Sequence, residues 1–433
     1  MPSRNWWKPV LSTASPASLP PLGVYVHWPF CAAICPYCDF NVHLLRNSQT
    51  DPADWLRAYR RELAHARSLR PQGRVETVFF GGGTPSLMSP DLVGGILSAI
   101  EDMWGLAAEA EITLEANPMS APETHLKALR AAGVTRLSLG VQAFDDVALK
   151  FLGRTHSAQD ARVAFEAAQR IFPRASFDLI YARPNQTPEA WASELTAALA
   201  LTPQHMSLYQ LTIEPDTPFY KHQAAGKLIL PNEDASADMY EITQSLCASA
   251  GLPAYEISNH GADGHACRHN VAGWQGGDYL GIGPGAHGRV SCLEKGARLS
   301  SVAHRSPSEW LAQVETDGHG WAELHPLDGE SVEMEAVLLG LRLVEGVGLD
   351  ALAVRGVHLQ QHLVRHVRLG RRRRRPLGQG RCPHRGMGRT HGLGHLVRVR
   401  VRVRVRVRVR VRVRVRVRVR VRVRVRVRVR VRV

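Results

Sequence analysis

Three cysteines, Cys31, Cys35 and Cys38, stand together in the stretch Tyr25-Val-His-Trp-Pro-Phe-Cys31-Ala-Ala-Ile-Cys35-Pro-Tyr37-Cys38-Asp-Phe40. Thiolates are the usual ligands of iron–sulfur clusters, and a C-x3-C-x2-C loop supplies three from one turn of chain. A cubane has four irons, so three thiolates leave one iron open to a chelating ligand. A structural zinc site would draw a fourth Cys or His at ligand spacing, for which His43 is the near candidate. A disulfide framework would draw an even set in a secreted chain. The spacing favours the cluster.

Other polar residues fall where apolar runs end. Gly81-Gly82-Gly83-Thr84-Pro85-Ser86 follows the run Val75–Phe80, and Glu115 closes Glu111–Glu115. Glycines there let backbone N–H and C=O groups approach a ligand, although such a loop also serves as a tight turn. A carboxylate at a strand end suits a ribose diol, or solvent. Gln142 closes the next run, Arg154 follows in Gly153-Arg154-Thr155-His156, and Asp178 sits inside Phe177-Asp178-Leu179-Ile180-Tyr181. A buried ionisable group is costly unless paired, and Arg154 is one pairing for Asp178. His269 and His287 are candidate haem-iron ligands, although lone histidines are more often hydrogen-bonded structure.

The elements that must hold these residues alternate. Strand-like runs cover Gly23–His27, Val75–Phe80, Glu111–Glu115, Arg136–Gly140, Ser176–Tyr181 and Met206–Thr212. Helical patterns cover Trp55–Leu69, Leu92–Met103, His125–Ala132, Asp160–Ile171 and Trp191–Ala200. Successive β/α steps predict an α/β fold with a parallel sheet and outer helices. Polar residues gathered at strand C-terminal ends point to a partial (βα)6 TIM-like barrel. A doubly wound open sheet is the alternative.

Composition misleads as a whole. The formal net charge is +16, yet all 39 acidic residues lie at or before Asp350 and 29 of the 55 Lys and Arg lie after it. Residues 1–350 therefore hold 26 basic against 39 acidic groups. From Val397 to Val433 the chain alternates Val and Arg, preceded by Arg371 to Arg375. Such a run can bind nucleic acid, but no aromatic or acidic residue interrupts it. It reads as a shifted reading frame, to which no specific nucleic-acid partner is assigned. The expected organisation is a disordered leader over 1–21, a core over 22–250, an extension over 251–350 and the aberrant tail over 351–433. No apolar run reaches membrane-spanning length, which leaves only peripheral membrane contact open. Free thiols and an oxygen-sensitive cluster point to a reducing cytoplasm. Cys247, Cys267 and Cys292 read as buried core thiols.

With these residues in hand, 23 to about 350 resembles the oxygen-independent coproporphyrinogen III oxidase-like branch of the radical-SAM superfamily, and within it the haem chaperone (HemW) family. The motifs that carry the resemblance are Tyr25 to Cys31, Cys35 to Asn41, Gly81 to Ser86, Glu115 to Pro118, Gly140-Val-Gln142, Asp178 to Tyr181 and Gly281 to Gly288. The resemblance implies a [4Fe–4S] cluster on Cys31, Cys35 and Cys38 and S-adenosylmethionine (SAM) at its open iron, where reductive cleavage yields a 5′-deoxyadenosyl radical. It implies SAM contacts at Tyr25, Tyr37, Gly82, Gly83, Thr84, Glu115, Gln142, Arg154 and Asp178. The oxidases continue past the third cysteine with a Cys-x-Cys pattern; here Asp39 and Phe40 follow Cys38. That difference favours the chaperone, which binds haem and delivers it to respiratory haem proteins such as cytochromes; the alternative is the oxidase itself. Two motifs depart from the family pattern: Gly273 replaces the Tyr of His-Asn-x-x-Tyr-Trp, and Ala182-Arg-Pro-Asn185-Gln-Thr replaces Gly-Leu-Pro-Gly-Gln-Thr. In place of the family's small C-terminal helical module stands the Arg-rich run.

Overall fold

The structure is a computed structural model, which describes residues 19–47, 51–120, 122–346, 398–403 and 425–430. The chain divides into two units, Met1–Val347 and Gly348–Val433. In the second, the segments 398–403 and 425–430 pair as an antiparallel ladder with Arg398 opposite Arg430. The rest of the expected tail, and most of the expected leader, lies outside the described residues.

In the first unit, β1 (Leu22–Trp28) runs into a short β2 (Phe30–Cys31), which pairs with β3 (His43–Leu44). The cysteine loop is the connection between these two short strands. Then come α1 (Pro52–Leu69), β4 (Val75–Gly82), α2 (Pro90–Trp104), β5 (Leu106–Ala116), α3 (Glu123–Ala131) and β6 (Arg136–Gln142). The series continues with α4 (Asp146–Phe151), α5 (Ala158–Ile171), β7 (Arg174–Tyr181), α6 (Pro188–Leu199) and β8 (His205–Gln210). Helix starts follow capping chemistry: Asp51, Ser89, Ser157 and Thr187 each accept a first-turn N–H, and Pro occupies the first turn of α1, α2 and α6.

Strands β1, β4, β5, β6, β7 and β8 pair in parallel and in chain order. A doubly wound sheet would reverse its order at the first strand. Six β/α steps advancing in one direction make the partial barrel, and their near-continuous apolar strands show that both faces are covered. Val24, Val26, Val78, Phe80, Leu114, Leu137, Leu139, Phe177 and Leu179 are all buried, packed against the helices.

Later elements enlarge the same sheet. After α7 (Pro218–Ala224), α8 (Glu233–Ser249), β9 (Asn259–Gly261) and α9 (Arg268–Trp274), β10 (Asp278–Ile282) inserts in parallel beside β1. From it an antiparallel meander runs through β11 (His287–Cys292), β12 (Ala297–Ala303), α10 (Pro307–Asp317) and β13 (Trp321–Pro326), before α11 (Gly329–Gly340). The segment expected as an extension thus covers the edge that β1 would otherwise expose.

Candidate functional site

The parallel strands deliver the candidate residues to one end of the sheet. Cys31 ends β2 just past β1, Gly82 ends β4, Glu115 precedes the last residue of β5, Gln142 ends β6, and Asp178 lies in β7. Cys31 is buried, while Cys35 and Cys38 are half-buried. The loop closes on itself through the Cys38 N–H, which donates to Cys35 O at 3.1 Å.

Two donors point at the sulfurs. Thr84 Oγ1 donates to Cys31 Sγ at 3.3 Å, and Arg154 Nη1 donates to Cys35 Sγ at 3.3 Å. Burial pushes the Cys31 thiol up, and burial with the neighbouring Cys35 and Cys31 pushes Cys38 up to about 11. Cys31 and Cys38, so raised, stay protonated without a cation; a bound metal's charge reverses that logic. Among the described residues no group of three or more His, Cys, Asp or Glu is drawn together to hold a metal ion. A cubane's three thiolates sit on three different irons and so stand farther apart than the ligands of one ion. The donor set, soft sulfurs with a guanidinium and a hydroxyl turned toward them, fits a cluster.

Beside the thiols lies a second polar group. Gly82 N donates to Glu115 Oε2 at 3.2 Å. Burial, with Asp178 nearby, pushes Glu115 up to about 8. Burial also raises Asp178, against hydrogen bonds from Ser207 and Ser138 and the charge of Arg136. Arg154 is not the ion-pair partner expected for Asp178. Its Nη2 donates to Gly140 O at 2.8 Å, and Asp178 accepts from Ser138 Oγ at 3.3 Å. The β6 end turns sharply there, with Gln142 at φ 71°. Tyr37 packs on the other side of the loop, its ring 6.3 Å from that of Phe219.

The glycines at the end of β4 face the chain's own atoms. A Cβ on Gly82 would lie 2.5 Å from the His27 ring, and one on Gly83 would lie 2.7 Å from Phe30 O. The loop therefore packs directly on β1 and β2, and what it offers a ligand is main chain.

Sequence reasoning gave His27 no role, although it sits inside the motif around Cys31. Its Nε2 faces Asn41 O at 2.9 Å and its Nδ1 faces Tyr25 Oη at 2.9 Å. Burial holds the imidazole down at about 4, so it is neutral. A carbonyl only accepts, which assigns the proton to Nε2 and leaves Nδ1 to accept from the Tyr25 hydroxyl. His27 thereby commits the phenol's proton and leaves its oxygen as an acceptor.

Glu62 also went unassigned. It is fully buried and accepts from Gly283 N at 2.7 Å, Gly320 N at 2.9 Å and Trp310 Nε1 at 3.1 Å. It ties α1 to the Gly281–Gly288 loop and to α10. That loop in turn holds Asn41, whose Nδ2 donates to Pro284 O at 3.0 Å. Its place on the face of α1 that carries Trp55, Tyr59 and Ala66 hints at burial but not at the partners that make burial tolerable.

The two haem candidates are set apart. His269, on α9, bonds Thr77 Oγ1 through Nδ1 at 2.9 Å and packs on Phe79 at 5.2 Å. It lies near Gly23, at the opposite end of β1 from the cysteines. His287 is exposed at the start of β11. At Gly273, where the family has Tyr, an added Cβ meets nothing within 4 Å. At Ala182 and Asn185, where the family has Gly, φ is 58° and 61°. The backbone keeps the left-handed turns without the glycines. Cys247, Cys267 and Cys292 are buried, as expected.

Residues 25–195 match the Radical SAM superfamily. The chain is 40% identical to the haem chaperone HemW of Escherichia coli, over 68% of this chain and 76% of that protein. It is 40% identical to the mitochondrial radical S-adenosyl methionine domain-containing protein 1 of Bos taurus, over 78% of each. The coproporphyrinogen III oxidase of E. coli superposes with a TM-score of 0.68 at 22% identity, covering 83% of this chain and 84% of that one. This last likeness is one of fold.

Proposed function

We propose that this chain, which belongs to the radical SAM superfamily and within it to the family of the haem chaperone HemW, binds haem and passes it to respiratory haem proteins such as cytochromes. The family implies a [4Fe–4S] cluster and SAM. The observation that carries the reading is the thiol loop at the strand ends, with Thr84 and Arg154 turned toward its sulfurs and no cysteine following Cys38 in Cys-x-Cys spacing.

Cys31, Cys35 and Cys38 would hold the cluster, whose chemistry when bound is one-electron transfer to a sulfonium. The chain's own residues bind and orient. Tyr25, its proton committed to His27, offers an acceptor oxygen. Glu115 offers a carboxyl placed for a ribose, and Gln142, Arg154 and Asp178 line the next strand ends. Gly82, Gly83 and Thr84 supply main chain, and Tyr37 closes the far side of the loop. Among the described residues no helix is long and apolar enough to cross a membrane. Animal relatives are named as mitochondrial, so the compartment is assigned here by its reducing chemistry alone.

Anaerobically reconstituted protein should take up about one haem per chain and release no protoporphyrinogen from coproporphyrinogen III. Decarboxylation with SAM and a reductant would replace this reading with the oxidase.

A further inference from the structure

Resting on the reading of the chain as a haem carrier, we infer that the haem docks against the exposed face of Phe151, where α4 meets α7, with His222 as its axial ligand. Haem needs a flat apolar surface, an accessible imidazole and cations for its two propionates. Of the fourteen described histidines, five are spent inside the fold: His156, His205 and His260 are buried, and His27 and His269 are held by hydrogen bonds; His222, His287 and His325 are exposed.

His222 stands beside an aromatic ring. It is exposed on α7, with its ring 6.5 Å from that of Phe219. Phe219, buried in the small core beneath, stacks at 4.8 Å and 29° on Phe151, which ends α4 and is 37% exposed. Val147, one helical turn before Phe151 on α4, is also exposed, as is Tyr220 beside Phe219 in α7. Under them lies a small apolar core of Leu149, Leu152, Ile180, Leu211 and Leu228, so the surface has a rigid floor.

Three exposed lysines could meet the propionates, on elements that also carry the exposed acids Asp145, Asp146 and Asp216. Lys150 adjoins Phe151, Lys221 adjoins His222, and the Lys227 N–H donates to His222 O at 2.9 Å; all three lysines are exposed. The acids at the start of α4 are engaged as caps, Asp145 by Ala148 N and Asp146 by Ala158 N, both at 2.7 Å. The floor also touches the cysteine loop, because Phe219 N donates to Pro36 O at 3.0 Å. Cargo would therefore sit beside the cluster.

Full-length, cluster-loaded protein titrated with ferric haem tests this, read by Soret absorbance and by the EPR signature of the axial ligand. His222→Ala should weaken binding at least tenfold and remove the histidine signature. Phe151→Glu should weaken binding while keeping that signature, and both variants should retain full iron as a check on folding. Wild-type affinity and spectrum in His222→Ala would overturn the site, as would loss of the signature in His269→Ala or His287→Ala instead. Wild-type protein that holds its cluster but takes up no haem would overturn the chaperone reading, and this site with it.

Discussion

Glu115 makes the most exposed wager about the site. Its carboxyl titrates at about 8 against an ordinary 4.5, because burial and the neighbouring Asp178 oppose its charge more than the Gly82 N–H and Arg136 favour it. The folded chain therefore binds a proton that the unfolded chain has released between those two values. Stability linked to this group is full below pH 4.5 and declines as pH rises to about 8. The whole swing is about 5 kcal/mol, and about 3 kcal/mol of it falls between pH 6 and pH 9. Glu115→Gln fixes a neutral side chain of the same shape and removes that slope. The assay is urea unfolding of metal-free, reduced protein at pH 6 and pH 9, wild type against variant, so that other titrating groups cancel. We expect the variant to gain about 3 kcal/mol on the wild type across that interval. Parallel pH dependences would mean that Glu115 is an ordinary solvated acid and that the desolvated carboxyl pair with Asp178 does not exist.

Three further outcomes follow from particular contacts. Glu62→Ala leaves three buried donors, on Gly283, Gly320 and Trp310, without an acceptor; it should cost about 3–5 kcal/mol by urea unfolding, and a loss under 1 kcal/mol would show that water replaces the carboxylate. Ala182→Gly relieves a side chain held at φ 58° and should stabilise by about 0.5–1 kcal/mol; destabilisation would place that turn elsewhere. His27→Ala frees the Tyr25 hydroxyl and should weaken SAM binding to reconstituted protein about tenfold, measured calorimetrically, with Tyr25→Phe matching it and the double variant no worse. Additive losses would separate the two residues.

The β/α rhythm was legible because each buried parallel strand is a short apolar run and each outer helix shows its own period. Each predicted strand and helix from Gly23 to Thr212 is present, although β5 begins five residues early and β2, β3 and α4 were not foreseen. The thiol trio was legible because its spacing is local. What the sequence hid was long-range. Nothing near Asp278 announces that β10 will lie beside β1, more than 250 positions earlier. Glu62 reads as one more charge on a helix until Gly283, Gly320 and Trp310 arrive around it. Arg154 reads as one pairing for Asp178 because a charge in an apolar strand is costly unless paired. Cys35 Sγ and Ser138 Oγ take the direct contacts, and Arg154's charge still acts on Asp178 from a distance.

The central claim is that Cys31, Cys35 and Cys38 grip an iron–sulfur cubane with a corner left for SAM. Iron and acid-labile sulfide, determined on anaerobically reconstituted wild type and on the three single Cys→Ala variants, test it most directly. The account predicts about four irons and four sulfides per wild-type chain, with the thiolate–iron absorption near ~400 nm lost in each variant. Zinc in the loop, or full iron in any one variant, would contradict it.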